Sequence, residues 1–438
     1  MARATDPKRA LAGATWVVRA LRDAGHQAVF AGGCVRDALL NLHPTDYDVA
    51  TDATPDRVLA LFPRSDRVGA AFGVVLVHVP RSALPPASAP DARVSVEVAT
   101  FRADGPYSDA RRPDSVVFSD PVADAQRRDF TINALFLDPL APGKVGELDG
   151  RVIDHVGGRA DLDAGIIRAV GDPDTRLRED HLRALRAVRF AGRLGFTIEP
   201  GTAGAIARCA ASLRGVSRER VGEELRRMLV HPARAKAVAL LNDLGLDAPV
   251  LDEPPARSEL RLLGALPVTV PFTTALAAWL LDRTWTHADP TWPDVSRQRG
   301  HPAPLSKVRA ALCLSNDEHE ALVQTLGLAR HFALDWSNAQ VAQQKRWAYA
   351  QAAHEACTLI AAWNAVHAAA IHARIDELAR DGVGLAPEPL ITGDDLVASG
   401  ITPGPKFKAA LERTYDAQLE GRVVEKAGAL ELARRLCV

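Results

Sequence analysis

The β-strand signal in this chain stops early. Short β-branched runs occupy 27–31, 47–51, 73–79, 94–100 and 115–118, with turn residues and helical patterns between them, and nearly vanish after Asp161 in a chain of 438 residues. From there amphipathic helical periods follow one another at 179–194, 218–229, 232–244 and onward. A Pro-rich stretch, 81–90, reads as a surface loop of the first part, and a Pro-containing break at 385–389 precedes a short C-terminal helical unit. The expectation is a mixed α/β head followed by a long all-helical arm. The length suggests about two to four domains.

Composition narrows the possible roles. Lys+Arg number 53 against 54 Asp+Glu, a net charge of -1, so any nucleic-acid surface must be a local patch. Aromatics are 5%, too few for rows of stacked bases. The five cysteines form no C-x-x-C pair, which argues against a zinc ribbon or disulfide framework and fits a reducing cytoplasm. The first residues mix Arg, Asp and Lys into apolar positions, unlike a signal peptide. The most apolar runs, 265–281 and 352–373, are interrupted by polar residues or Pro and read as core helices, so no membrane span is expected.

Two segments of the head carry chemistry. In the first, an apolar strand runs into Gly32-Gly33 and a helix begins near Cys34. Glycines permit close backbone approach, helix N-terminal N–H groups favour phosphate, and Arg36 can add a bidentate contact. Taken alone, such a pair is more often a tight turn. Asp46 and Asp48 shift the balance, because residues i and i+2 of a strand share a face. Carboxylates held together repel unless a cation lies between them, and Mg²⁺ binds such oxygens together with substrate phosphates. In the second segment, Glu97 stands opposite the Val94, Val96 and Val98 face of a strand and is the third available carboxylate; a solvated edge strand is the equally weighted alternative.

Four motifs then come in order: Gly32-Gly33-x-x-Arg36-Asp37; Asp46-x-Asp48; Arg127-Arg128-Asp129-Phe130-Thr131-Ile132-Asn133-Ala134; and Glu179-Asp180-x-x-Arg183-x-x-Arg186-x-x-Arg189-Phe190. The series resembles the class II tRNA nucleotidyltransferases, the group that includes bacterial poly(A) polymerases. The likeness is close over 27–230, where Glu219, Arg220 and Glu224 resemble the family's fifth, helix-stabilising motif, and looser beyond 245.

The resemblance implies an α+β fold: a small mixed-sheet nucleotidyltransferase head (1–160), then a helical neck (161–245) for base recognition, a helical body (246–384) and a helical, RNA-binding tail (385–438). It implies attack of an RNA 3′-hydroxyl on the α-phosphate of a nucleoside triphosphate. Asp46 and Asp48 would hold Mg²⁺ in a two-metal site, with Glu97 as third catalytic carboxylate. Gly32, Gly33, Arg36 and Arg128 would hold the triphosphate, and Asp129 and Asn133 the ribose hydroxyls. Asp180 and Arg183 would read the base edge, with Arg186 and Arg189 supporting phosphates or the pocket.

The base-reading expectation has its own chemistry. Residues 180, 183, 186 and 189 step by three along one expected helix, 179–194, and a local excess of arginine suits a triphosphate or RNA backbone. A carboxylate accepts from the exocyclic amine that C and A share, and a guanidinium donates to ring nitrogens or carbonyl oxygen. The polar stretch 101–114 reads as a mobile loop; in the family such a loop is needed to add A after C, and here it looks full length, which disfavours a strictly CC-adding enzyme and leaves addition of the whole CCA or of the terminal A alone as the expectations. In the tail, Gly404 between two prolines is expected to open a helix bearing Lys406 and Lys408, an RNA phosphate anchor or simply a solvated turn.

The absence of a His-Asp dipeptide gives no support for an appended phosphohydrolase domain. The expected partners are the 3′ end of tRNA, with CTP and ATP as substrates, and RNA rather than DNA. A poly(A) polymerase is the alternative, disfavoured because neither end of the sequence carries a basic extension.

Overall fold

The protein is described here by a computed structural model. It describes residues 6–437 except 69–72, 87–92, 106, 108–112, 114, 147, 257–258, 286–290 and 295–304. The chain divides into two compact units, Met1–Glu224 with Asp243–Pro249, and Leu225–Asn242 with Val250–Val438.

In the first unit the described strands are β1 (Ala28–Ala31), β2 (Asp48–Thr51), β3 (Ser65–Arg67), β4 (Val74–His78), β5 (Ser95–Thr100), β6 (Arg102–Asp104), β7 (Val116–Phe118), β8 (Phe136–Asp138), β9 (Lys144–Val145), β10 (Leu148–Asp149), β11 (Arg151–Ile153) and a short parallel pair, β12 (Ile166–Ile167) with β13 (Thr197–Ile198). Seven of them form one mixed sheet in the order β11-β8-β1-β2-β5-β4-β3. The five strands expected from sequence are all present, and β6 pairs with β7 apart from the main sheet. The expected mobile loop therefore begins in β6, which pairs with β7 just beyond its end; 106, 108–112 and 114 of the loop, and 87–90 of the Pro-rich stretch, lie outside the described residues.

Two pairings position the site. β1 runs antiparallel to β2 with Ala31 opposite Asp48, so the Gly32 turn emerges beside that carboxylate. β2 runs parallel to β5 with Val49 opposite Val98, which sets Asp48 and Glu97 at neighbouring strand positions although 49 residues separate them. The sheet is anchored by fully buried Phe30, Phe101 and Phe136, the last two packed edge to face at 5.9 Å. Each such ring contributes about 1.5–3 kcal/mol by leaving water.

The helices of this unit are α1 (Pro7–Asp23), α2 (Gly33–Leu39), α3 (Pro55–Leu61), α4 (Pro121–Gln126), α5 (Gly158–Ala164), α6 (Pro173–Glu179), α7 (Arg183–Leu194) and α8 (Pro200–Cys209), and α9 (Arg218–Leu229) runs to the next unit. Asp6 caps α1 by accepting from the Lys8 N–H, and α1 buries Ala14, Val17, Val18 and Leu21 toward the sheet.

The single helix expected over 179–194 is two helices. α6 ends at Glu179, Asp180 is extended (φ -151°, ψ 103°), and α7 begins at Arg183. Asp180 breaks the run because its side chain accepts from the Leu182 N–H and its carbonyl from the Arg183 N–H. Short acidic side chains favour such turns over helix interiors. Only Arg183, Arg186 and Arg189 keep the three-residue step on one helix.

The second unit is helical. Both apolar runs are split: the first into Arg261–Ala265 and Phe272–Arg283, the second into Ala353–Trp363 and Ala365–Ala379, where Asn364 caps the later helix through the His367 N–H. Phe272–Arg283 is buried on every side around Trp279. Its Asp282, fully buried, accepts from the Leu262 and Leu263 N–H groups and so caps the neighbouring helix; burial lifts its carboxyl to about 6. At the C-terminal end, Ile391, Leu396, Ala429 and Ala433 form a small core. No helix among the described residues is long and apolar enough to cross a membrane.

Candidate active site

The Gly32 turn, the start of β2, the segment after α4 and the start of α7 enclose one cavity of about 480 Å³. Its lining includes Gly32, Gly33, Arg36, Asp48, Arg128, Asp129, Asn133, Asp180, Arg183 and Arg186. Ten residues singled out from sequence, scattered over 155 positions, are thus brought together. Asp46, Glu97 and Arg189 are outside that lining, and Arg127, Leu182, Phe190 and Arg220 join it.

Gly32 has φ +75°, a conformation that favours glycine, and a Cβ there would stand 2.9 Å from an Arg128 guanidinium nitrogen and displace it. Its N–H is already donated to the Leu135 carbonyl. At Gly33 a Cβ would meet only Arg36 at 3.7 Å, an ordinary contact. The phosphate-seat expectation therefore rests more on the arginines than on the glycines.

Those arginines are held by a chain of acids and one amide. Arg36 donates to Asp37 and to the Asn133 side-chain carbonyl, and the Asn133 amide donates to Asp129. Arg128 donates to Asp124 at 2.9 Å and to the Asn133 backbone carbonyl, with its guanidinium 5.0 Å from the centre of the Phe136 ring. Arg186 pairs with Asp129 at 2.7 Å, and Arg189 with Glu224. Burial alone would raise the Asp129 carboxyl, but the Arg186 charge and the hydrogen bonds from Asn133 and Arg186 bring it down to about 2. Asp129 is therefore a fixed anion, and with Asn133 it is engaged inside the protein as well as facing the cavity.

Asp124 escaped the sequence reading. It is 1% exposed and takes Arg127 at 2.6 Å and Arg128 at 2.9 Å. An acid three and four residues ahead of two arginines looks in sequence like a surface ion pair. Its burial is what turns it into a clamp.

The carboxylate end differs from the expectation in one respect. Asp48 opens β2, but Asp46 lies in the loop before it, because pairing with β1 begins only at Ala31 and Asp48. The two acids do not share a strand face in the regular sense, yet Asp46 is close enough to act on Asp48 electrostatically. Desolvation by the dense surround, then the charges of Glu97 and Asp46, lift the Asp48 carboxyl to about 6 against the pull of Arg128. The nearby Cys34 thiol is pushed to about 12 by burial and by Asp48. A carboxylate loaded with negative charge by two neighbouring acids, in a sheet otherwise rich in valine, fits a divalent cation. Among the described residues, no three Asp, Glu, His or Cys side chains stand as a preassembled metal cluster.

The two base-reading candidates are each oriented by a partner. Arg220 of α9 donates to both Asp180 oxygens, at 3.2 and 2.6 Å. Arg183 donates to Glu179, at 2.5 Å, and to the Arg176 and Arg127 carbonyls. A carboxylate with about four acceptor positions and a guanidinium with five donors both retain capacity for a base edge. In the tail, Gly404 caps the helix Pro405–Leu419 as expected, with Lys406 and Lys408 in its first turns. Lys408 is highly exposed and within 3.8 Å of Glu412.

A mixed sheet, an acidic strand start beside a glycine turn and an arginine-lined cavity are the features that the chain brings to a comparison with known proteins. Residues 28–168 match the model of the "Poly A polymerase head domain", and residues 195–256 that of the "Probable RNA and SrmB- binding site of polymerase A". These two stretches of the chain are similar to the poly(A) polymerase head and RNA-binding models over 28–168 and 195–256.

Among curated proteins, the CCA-adding enzyme of Geobacillus stearothermophilus is 39% identical over 251 residues, 57% of each chain. That of Limosilactobacillus fermentum is 39% identical over 266 residues, 60% of each. In sequence the chain thus spans somewhat over half the length of the curated relatives it matches. In structure, the Bacillus stearothermophilus CCA-adding enzyme in complex with CTP matches with a TM-score of 0.71 at 29% identity, over 98% of both chains. The Thermotoga maritima CCA-adding enzyme complexed with tRNA shares the fold, with a TM-score of 0.63 at 19% identity over 99% of this chain and 96% of that one.

Proposed function

We propose that this protein builds or repairs the 3′-terminal CCA of tRNA, transferring CMP and AMP from CTP and ATP without a nucleic-acid template and releasing pyrophosphate. The observation that carries the proposal is the single cavity in which Asp48, the arginines 36, 128 and 186, and the pair Asp180 and Arg183 all converge. Its support among relatives is that the two sequence relatives named above are CCA-adding enzymes, and that a structural relative is a CCA-adding enzyme in complex with CTP.

In this reading the cationic wall of Arg36, Arg128 and Arg186 takes the triphosphate and leaves its α-phosphate toward Asp48. Arg36 and Arg186 are each backed by a carboxylate, and Arg128 by the buried Asp124, so all three are oriented before a nucleotide enters. Asp180 accepts the exocyclic amine of C or A, and Arg183 donates to the neighbouring ring nitrogen or carbonyl. G and U present the wrong groups at those positions. Asp46 and Asp48, with Glu97 beside them, would hold Mg²⁺, which when bound supplies charge neutralisation at the reacting phosphate and activation of the attacking hydroxyl. The RNA 3′-oxygen bonds to the α-phosphorus as its bond to the pyrophosphate oxygen breaks. Lys406 and Lys408 would contact the tRNA backbone, and the compartment proposed for this role is the cytoplasm.

Offering ATP alone to an unrelated, unstructured RNA separates this reading from a poly(A) polymerase. We expect at most a few added residues. A ladder of tens of adenylates would overturn the tRNA assignment.

A further inference from the structure

We propose that Phe190 is a positioning residue for the triphosphate end of the cavity, its ring serving as the common seat of three guanidiniums. The Arg189 guanidinium carbon lies 4.3 Å from the ring centre, Arg36 4.9 Å and Arg186 5.5 Å. All three are within the range over which an aromatic ring attracts a cation. Two come from α7, and Arg36 comes from α2, about 150 residues earlier in the chain.

The arrangement needs such a centre. Three permanent positive charges brought around one point repel each other. Their carboxylate partners are Asp37 for Arg36, Asp129 and, at 3.9 Å, Glu224 for Arg186, and the same Glu224 for Arg189. A further acid at position 190 would hold the guanidiniums together but would cancel the field they present to an anion. An aromatic ring attracts them through its quadrupole and carries no net charge. The ring is itself fixed: Phe190 is 5% exposed and meets Phe130 edge-on at 6.0 Å. It also lines the cavity, so its position is tied to the space the nucleotide would fill. This role rests on the reading that Arg36 and Arg186 receive the triphosphate.

The test replaces Phe190 by Met, which keeps apolar bulk without a ring, and by Tyr, which keeps the ring. Steady-state constants are measured for CTP and ATP on tRNA, together with inhibition by inorganic tripolyphosphate, which has phosphates and no base. For Phe190→Met we expect KM for both nucleotides and the tripolyphosphate inhibition constant to rise together by about 3- to 10-fold, with kcat within about 2-fold. Phe190→Tyr should restore most of that loss. Should the Met variant not fold, Phe190→Leu is read in the same way.

Arg36→Ala is the control. If it raises both constants while Phe190→Met lowers only the thermal midpoint, Phe190 merely packs and the inference is overturned. If Arg36→Ala raises neither constant, the triphosphate reading itself fails and this inference falls with it.

Discussion

Asp48→Asn is expected to reduce nucleotide transfer by about 10³-fold or more, while tRNA binding stays within about 2-fold of the unaltered protein. The substitution keeps size and shape and removes one charge. That charge stands where β1, β2 and β5 meet, beside the Gly32 turn and next to the strand position of Glu97. Binding should persist because the cationic groups and the helical second unit are untouched.

The same substitution carries an opposite expectation for stability. In the folded protein the Asp48 carboxyl is lifted to about 6, above its ordinary value of 3.8, by desolvation and by Glu97 and Asp46. A folded value above the unfolded one means that the ionised form disfavours the fold, and that this penalty grows as pH rises through the interval from 3.8 to about 6. Without divalent metal at neutral pH, Asp48→Asn should therefore unfold at the same temperature or higher. Loss of activity with gain of stability marks a residue kept for chemistry. Retained transfer, or loss of transfer only through loss of folding, would refute the assignment.

The second large effect falls on base choice. Arg183→Ala should raise incorporation of G and U relative to C and A by about 10- to 100-fold, since a bidentate base contact is worth about 1–3 kcal/mol of discrimination. Total incorporation should fall by less than that. Removing Arg183 leaves Glu179 paired with Arg176 at 2.7 Å, so the turn between α6 and α7 keeps its anchor. Asp180 likewise keeps Arg220. Competition among the four nucleotides on one tRNA, read by sequencing the added residues, decides the matter. An equal loss for all four would mean that Arg183 supports the pocket without reading the base.

Much of the site was legible in the sequence because its groups sit in short local patterns. Gly32 to Asp37, Arg127 to Asn133 and Asp180 to Arg186 each bring their residues to the cavity as blocks. What escaped depends on burial and on pairings distant in sequence. Asp124 could not be told from a surface acid until α4 buried it. The partnership of Asp48 with Glu97 follows from the parallel pairing of β2 with β5, which no local pattern announces. Periodicity carried the helix through Asp180, whereas hydrogen bonds from its side chain and carbonyl to the following N–H groups end it there. Phe190 had an apolar helical position and gave no sign that three guanidiniums would gather on it. In the second unit, Asn364 likewise divides a run whose composition alone reads as continuous.

The most direct test of the central claim is an extension assay on three tRNAs, ending before CCA, after C and after CC. Each receives CTP, ATP or both with Mg²⁺, and products are sized on a denaturing gel. The account predicts that the shortest tRNA grows by three residues with both nucleotides, by two with CTP alone, and that ATP alone extends only the CC-ended tRNA, by one. Failure of CTP to extend any of the three would contradict it, and single-A addition to the CC-ended tRNA alone would make this an A-adding enzyme instead.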